Sequence, residues 1–508
     1  MKRTALFSLS NVDCADRFAA QLIRRGWNIL ATPETVRLLR GKGIPVTDIS
    51  DFTGIKKRSE YIFPPTLHPK IEQALTVKCP SPIDLVYDIP YPVSEGNDVG
   101  GHTLLALAVK GGRIPVMCVD DMKKVISSMS KTGDIRSKLH HELIEKASFA
   151  VAKHYSGIMT KGKYDFLEGR FSFRLLNGEN PYQIPASAFI SETQQDPLSL
   201  FNFKKVSGEP PCFTNIADAD SALRTMCLAS AAFLLNTGAI PKICVAAKHG
   251  NACGMGISKV SAAEAIQKAL YGNPRAVWGG EVITNFPINL QLAELLFSCK
   301  NREHLLGSSS WMLDFIMAPA FTSEAISVLG RRQKRKLFEN STLLSPSLEK
   351  AKFVYRPVRG GFLRQPPANY VLNLKKCRIE GRDYSEIEMS SLIIAWATVY
   401  SSAHGGNEIA LAKNGTLLSV GGGPSTIDAA TVAVLRAKQN GHEAKGSAFA
   451  ANAFFPFTDA PLILCNAGVE IGSVPRGGRN ETEVRDFFRT HNKSITYIPQ
   501  KFRGFCRH

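Results

Sequence analysis

No stretch of this 508-residue chain approaches the 18 consecutive apolar residues that a membrane-spanning helix needs, so no span is expected. The 11 cysteines are scattered singly, with no CxxC pair and no His-rich tract. That argues against a disulfide framework and against structural zinc, and it points to a reducing compartment, the cytoplasm. No metal is expected. No secretory leader is expected from the first residues either: Met1-Lys2-Arg3 and a short apolar run soon meet Asn11, Asp13 and Asp16. Acidic residues are the scarce sign, 44 against 62 basic ones, leaving a net charge of +18. Such an excess suits nucleic acid, a solvated surface, or a diffuse field that attracts anionic small molecules. The densest run, Arg331-Arg332-Gln333-Lys334-Arg335-Lys336, has no nucleic-acid motif around it and reads as a solvated helix.

What is present fits a multidomain α/β protein. The length exceeds what one core supports, and an apolar fraction of 44% is ordinary for globular chains. Strands are expected at 4–9, 27–32, 83–89 and 114–119, with helices at 15–25, 35–41 and from about Leu139 to Ser156. Strands alternating with helices imply a parallel sheet covered on both faces. A linker near Gly162–Glu168 then separates a first domain, 1–165, from a second region, 166–508. In that region strands are expected at 243–247, 280–284, 313–318, 408–411, 416–420 and 462–465, and helices at 219–234, 261–270, 387–401 and 426–439. No internal repeat is evident.

The richest chemistry lies at Lys248-His249-Gly250-Asn251. The apolar run Ile243-Cys244-Val245-Ala246-Ala247 precedes it. That pattern is a buried strand delivering a cation and an imidazole to its end, where open α/β sheets bind ligands. An imidazole suits proton removal near neutral pH, and an ammonium suits a developing negative charge. A lone Lys-His pair is more often a satisfied histidine beside a surface lysine.

The surrounding segments change that balance. In order they are Ala5-Leu6-Phe7-Ser8-Leu9-Ser10, Thr66-Leu67-His68-Pro69-Lys70, Asp98-Val99-Gly100-Gly101, Gly178-Glu179-Asn180-Pro181-Tyr182-Gln183, Asn215-Ile216-Ala217-Asp218-Ala219-Asp220, Ala412-Lys413-Asn414-Gly415, Ala453-Phe454-Phe455-Pro456-Phe457-Thr458-Asp459 and Phe502-Arg503-Gly504-Phe505. Together they resemble the bifunctional AICAR transformylase/IMP cyclohydrolase family of purine biosynthesis, over essentially the whole chain. The resemblance implies a methylglyoxal-synthase-like parallel-sheet domain, then a transformylase region of two cytidine-deaminase-like subdomains without their zinc. It implies formyl transfer from 10-formyltetrahydrofolate to the 5-amino group of AICAR, with purine nucleotide and folate as partners, and a homodimer. Lys248, His249 and Asn407 match the family's catalytic positions. Asn180, Asn215, Phe457, Asp459 and Arg503 match substrate- or folate-binding positions. Thr66, Tyr91, Asp98 and Lys110 match the cyclohydrolase's proton-handling groups. Two other readings stand beside this one: a paralogue that formylates another amine, and a non-catalytic nucleotide- or RNA-binding homologue.

Several positions depart from the family pattern. Leu176-Asn177 stand where Arg-Tyr is usual, and Ile427 stands where an Arg follows the glycine turn. Trp278-Gly279-Gly280 replaces Phe-Gly-Gly, and Ala451-Asn452 replaces Ser-Asp. Arg174, Arg275, Arg359 or Arg476 could replace lost phosphate contacts. In the first domain the Gly-rich cradle is Ala31-Thr32-Pro33-Glu34-Thr35, and Phe63-Pro64-Pro65 has lost an Arg and a Lys. Pro33 removes an N–H donor and Glu34 opposes phosphate charge, so cyclohydrolase activity is expected to be weakened.

Overall fold

The computed structural model describes residues 2–55, 65–77, 82–91, 96–130, 132–158, 164–191 and 196–505. Phe63, Pro64, Gly162 and the terminal Cys506-Arg507-His508 lie outside them. The chain divides into two compact units, Met1–Glu168 and Gly169–His508.

In the first unit the elements run β1 (Thr4–Leu9), α1 (Ala15–Arg24), β2 (Asn28–Ala31), α2 (Pro33–Gly41), β3 (Thr47–Asp48), α3 (Ile49–Thr53), α4 (Pro69–Thr76), β4 (Leu85–Ile89), α5 (Val99–Lys110), β5 (Ile114–Val116), α6 (Val119–Ser128) and α7 (Ser137–Ile158). The five strands form one parallel sheet in the order β3-β2-β1-β4-β5. Ala5, Phe7 and Leu9 pack beneath α1 and α6, while Leu6 and Val86 pack against α4 and α5. Burial on both faces explains why these strands read as continuous apolar runs. The strand order reverses at β1 and β4, and the crevice beyond their C-terminal ends is where such sheets bind ligands.

The second unit runs β6 (Arg170–Leu175), β7 (Ala186–Ile190), β8 (Lys204–Ser207), α8 (Phe213–Thr237), β9 (Lys242–Lys248), β10 (Asn251–Ser258), α9 (Ala262–Gly272), β11 (Glu281–Thr284), α10 (Leu290–Phe297), α11 (Lys300–Leu306), β12 (Phe315–Ala318), α12 (Ser323–Leu329), β13 (Lys336–Glu339), β14 (Val354–Val358), β15 (Gly361–Gln365), β16 (Arg378–Glu380), α13 (Glu386–Val399), β17 (Asn407–Lys413), β18 (Thr416–Gly423), α14 (Thr426–Gln439), β19 (Ala448–Ala451), α15 (Asp459–Asn466), β20 (Ile471–Pro475), α16 (Glu481–Thr490) and β21 (Ser494–Ile498). Twelve of its strands make one sheet, ordered β16-β21-β20-β19-β17-β18-β10-β9-β11-β12-β13-β8. That order is a palindrome. Each half carries an antiparallel hairpin, three mutually parallel strands and one antiparallel edge strand, and the halves join through β10 and β18.

The duplication reaches single residues. Lys248-His249-Gly250-Asn251 and Lys413-Asn414-Gly415-Thr416 close the two hairpins. The φ values are +54° and +73° at His249 and Gly250, and +52° and +74° at Asn414 and Gly415, the signature of type I′ turns. A Cβ on Gly256 would lie 2.3 Å from the Ala265 carbonyl oxygen, and one on Gly421 2.1 Å from that of Ala429. Both glycines let a helix lie directly on its strand. Asn285 accepts from the Ile243 amide and donates to the Pro241 carbonyl; Asn452 repeats this with Glu408 and Gly406. This is the two-subdomain layout expected from the resemblance.

Two expectations fail. Residues 462–465 are helical, within α15, because Ala460, Pro461 and Leu464 bury one face at helical spacing while Leu462 is 44% exposed. The basic run is no solvated helix. Arg335 is 1% exposed and donates to the carbonyls of Leu313, Leu329 and Trp311, and Lys336 opens β13. Burial lowers the Arg335 guanidinium pKa to about 10. Among the described residues, no helix is long and apolar enough to cross a membrane.

Candidate active site

The first hairpin delivers Lys248 and His249 to one edge of the large sheet. At the same edge β10 reaches the C-terminal end of β18, and Asn407, paired with Gly423, begins β17. The loop after β19 starts there too, because Ala451 pairs with Ile409. The sheet thus gathers Lys248, His249, Asn407 and the Ala453–Asp459 loop along one rim. Asn251 couples the two halves: its side chain donates to the His249 carbonyl at 3.0 Å and accepts from the Ala403 amide at 2.7 Å. A cavity of about 450 Å³ opens beside the turn, lined by Lys248, His249, Asn251, Cys253, His404 and Arg436 among others.

The turn is fixed from below. Asp218 on α8 accepts from the His249 amide at 3.0 Å and from the Gly250 amide. Asn215 on the same helix donates to Glu281 at 2.8 Å. Glu281 is 2% exposed, and its other carboxyl oxygen is enclosed. Burial, then the neighbouring Asp218 charge, pushes its pKa up to about 10, so it carries a proton at neutral pH. A protonated Glu281 can donate to Asp218, which leaves Asp218 free to accept both turn amides. Lys248 donates to the Trp278 carbonyl, and Arg302 is stacked between Trp278 and Trp311, 4.7 Å from each ring.

The remaining expected residues divide by role. Asn180 sits in a tight exposed turn, where it and its amide bond Gln183. Asn407 donates to the Pro424 carbonyl, tying the start of β17 to the loop after β18. Of the aromatic loop, Phe455 joins the core with Phe449 and Phe488, whereas Phe457 is 60% exposed. Asp459 opens α15, with one oxygen on the Ala460 amide. Arg503 lies exposed over Phe505, beside Gly504, whose amide bonds the Asn452 carbonyl. Leu176 and Ile427 are both exposed.

In the first unit, Asp98 caps α5, accepting from the Gly101 and Tyr91 amides at 2.7 and 3.2 Å. The Tyr91 hydroxyl donates to the Asn97 carbonyl, and Thr66 is buried. Lys110 ends the same helix, roughly 18 Å along it from Asp98, and pairs with Glu72 at 3.9 Å. Asp98 has a second carboxyl beside it. A Cβ on Gly101 would lie 2.8 Å from oxygens of both Asp88 and Asp98, so only glycine admits the pair. Burial raises the Asp88 pKa to about 7, opposed by a Ser8 hydrogen bond and aided by the Asp98 charge. Thr32 precedes α2 without capping it, Pro33 takes the first helical position, and Glu34 faces Arg37.

Sequence reading assigned no role to His404, Glu408, Arg436, Glu281, Asp218 or Asp88. Asp218 lay inside a quoted motif. The others sit in segments that look like ordinary loop, strand or helix.

A duplicated α/β sheet with a cationic, imidazole-lined cavity on one rim, together with a separate doubly wound parallel unit, defines a two-part α/β enzyme. The family model described as "AICARFT/IMPCHase bienzyme" matches residues 114–436. "Bifunctional purine biosynthesis protein PurH" of Anoxybacillus flavithermus is 30% identical over 526 residues, covering 96% of each chain. The proteins of the same name from Polynucleobacter necessarius and Aquifex aeolicus are each 28% identical, over 95% and 97% of this chain. A solved structure titled "Crystal structure of ForH" aligns at 26% identity over 31% of this chain and 95% of its own, with a TM-score of 0.27. The chain belongs to the AICARFT/IMPCHase bienzyme family, as a divergent member.

Proposed function

We propose that the second unit transfers a formyl group from 10-formyltetrahydrofolate to the 5-amino group of AICAR in purine (IMP) biosynthesis, and that the first unit is a weakened IMP cyclohydrolase. The observation that carries this reading is the Lys248-His249 turn, clamped by Asp218 and opening on a cavity with Arg436. The acceptor amine is a poor nucleophile, its lone pair delocalised into the imidazole and carboxamide. Transfer therefore needs a base at the amine, a cation at the formyl oxygen and close placement of the two reactants. His249 takes the amine proton, Lys248 stabilises the oxyanion, and Asn407 orients the reacting groups. Phe457 and Asp459 hold the folate. Arg503 and Arg436 supply positive charge for the nucleotide phosphate.

Family membership supports the reaction class. The retained Lys248 and His249 support chemistry over mere binding. We assign the protein to the cytoplasm; the nine described cysteines are free, which suits a reducing compartment. A homodimer is the assembly we propose. The hairpin β14–β15 carries Val358, Phe362 and Leu363 at 42%, 40% and 59% exposure, apolar surface that a second copy would cover. A steady-state assay offering AICAR and 10-formyltetrahydrofolate tests the reading through release of tetrahydrofolate. No release above background, from folded protein, would end it.

A further inference from the structure

His404 lies in the cavity that holds the Lys248-His249 turn, and a buried carboxylate holds it. Glu408 is 1% exposed. One of its oxygens accepts from the His404 backbone amide, and the other lies 3.5 Å from His404 Nδ1. That oxygen and Nδ1 are both enclosed, and neither makes a hydrogen bond. A buried carboxylate is tolerated when it is paired, and the imidazole is the group positioned to pair with it. With Nδ1 turned inward, Nε2 is the nitrogen left for the cavity.

The fold does not demand this carboxylate. The matching position in the other half of the sheet is Ile243, clipped by Asn285 as Glu408 is clipped by Asn452. Isoleucine there packs into the core without difficulty, so Glu408 is a local addition at the rim where the site forms. The loop that bears His404 is also built for close approach. A Cβ on Gly422 would lie 2.6 Å from His404 Cβ and from its carbonyl oxygen. The Ala403 amide bonds Asn251, which in turn bonds the His249 carbonyl, so one side chain sets the spacing of the two imidazoles.

We propose that His404, positioned by Glu408, is a second proton-transfer residue of the formyl-transfer site. The inference rests on the reaction proposed above. In that reaction the amine nitrogen bonds the formyl carbon and loses a proton to His249. The bond from that carbon to N10 of the folate then breaks, its electron pair goes to N10, and N10 takes a proton. His404 as imidazolium supplies that proton, and the two imidazoles return to their starting states by exchanging a proton through solvent in the cavity. Division of labour between an acceptor and a donor is the usual logic of paired acid–base groups. The charged and titratable groups facing His404 are Glu408 on the strand that follows its loop, Lys248 and His249 on the first hairpin, Cys253 on β10 and Arg436 on α14. Glu408 is the positioning residue and does not itself touch substrate.

The test compares the full-length chain with His404→Ala and Glu408→Gln, offering AICAR and 10-formyltetrahydrofolate from pH 5.5 to 9.5. Wild type should show a bell-shaped kcat profile. His404→Ala should lower kcat by about 10²–10⁴ with KM for AICAR within about threefold, lose the alkaline limb, and regain activity with added imidazole. Glu408→Gln should lower kcat less and move the alkaline limb. Circular dichroism and melting temperature check that both variants fold. A His404→Ala variant with wild-type kcat and pH profile would overturn the inference and leave the proposed reaction standing. So would a loss that imidazole does not rescue together with a wild-type profile for Glu408→Gln, since His404 would then be merely structural. Failure of the wild type to release tetrahydrofolate would overturn the reaction and this inference together.

Discussion

Replacing Glu281 by glutamine should stabilise the protein, and increasingly so as pH rises. Glu281 is 2% exposed and its pKa stands near 10, against 4.5 for an ordinary glutamate. Folding raises this pKa, so the unfolded chain releases the proton first as pH increases. The unfolded state therefore binds fewer protons between about 4.5 and 10, and stability falls across that window. Each pH unit inside it costs about 1.4 kcal/mol, which amounts to about 3 kcal/mol by pH 7. Glutamine keeps the geometry: its carbonyl accepts from Asn215, and its amide donates toward Asp218, where the protonated carboxyl did. It does not titrate. Urea melts of wild type and Glu281→Gln at pH 5, 6, 7 and 8, followed by tryptophan fluorescence, measure the difference. Trp278, Trp311 and Trp396 all report on the second unit. The gap should be below 1 kcal/mol at pH 5 and widen by about 1.4 kcal/mol per unit above it. Parallel curves, with a gap independent of pH, would show that Glu281 is ionised in the folded protein and that the argument is wrong.

The remaining predictions concern binding and chemistry. His249→Asn should lower kcat by about 10²–10⁴ with little change in melting temperature. Asparagine already occupies the same left-handed position at Asn414, so only the imidazole is lost; an unchanged rate would remove His249 from the mechanism. Leu176→Arg and Ile427→Arg should each tighten AICAR binding in calorimetry by about 1.5–3 kcal/mol if the bidentate geometry is recovered. Tight binding by the unmodified chain, unaltered by either change, would refute an electrostatic deficit. Gly421→Ala should destabilise the second unit by more than 2 kcal/mol in urea melts, because its Cβ would meet the Ala429 carbonyl at 2.1 Å. A smaller loss would mean that α14 can shift off its strand. Given formylated AICAR, the chain should form IMP barely faster than the spontaneous reaction. Pro33 and Glu34 open α2, where the family's glycine cradle would hold phosphate, and Lys110 lies a helix length from Asp98. Rapid turnover abolished by Lys110→Ala would show that the altered loops still hold substrate.

Nine of the described strands were legible, for a simple reason, whereas their order in the sheets was not. Strands such as β9 are buried on both faces and read as unbroken apolar runs, while α1 and α9 carry apolar stripes. The duplication was not legible, because the halves share only what geometry forces on them. Those shared positions are the left-handed turn pair, the glycines under α9 and α14, and the Asn285 and Asn452 clips. The intervening core positions need only be apolar, so they have no reason to match. The same logic explains the error at 462–465, where four consecutive apolar residues have no period of their own.

The charged residues carry the harder lesson. Lys248 and His249 stood out because a strand of five apolar residues led straight to them. Glu281 and Glu408 did not, because a glutamate in the first two positions of a strand reads as its solvated end. Each is nevertheless enclosed, since long helices cross the sheet above it: α8 bears Asn215 and Asp218 over Glu281, and Glu408 lies on the face that α13 covers. Arg335 is the same case with the opposite sign. A sequence pattern reports the period of one element, whereas burial of an ionisable group depends on which second element lies over it. Where that second element also brings a hydrogen-bond partner, a charge that looks like surface becomes the fixed point of a site. Glu281 beneath the His249 turn is of this kind, with Asn215 supplied by α8, whereas Glu408 takes its partner, the His404 amide, from the loop before its strand. Both flank the same rim, and neither has a carboxylate at the corresponding place in the other half of the sheet: Ile243 matches Glu408, and Ala448, which opens β19, matches Glu281. The departure from internal symmetry picks out the rim that bears Lys248 and His249 more sharply than any single motif does.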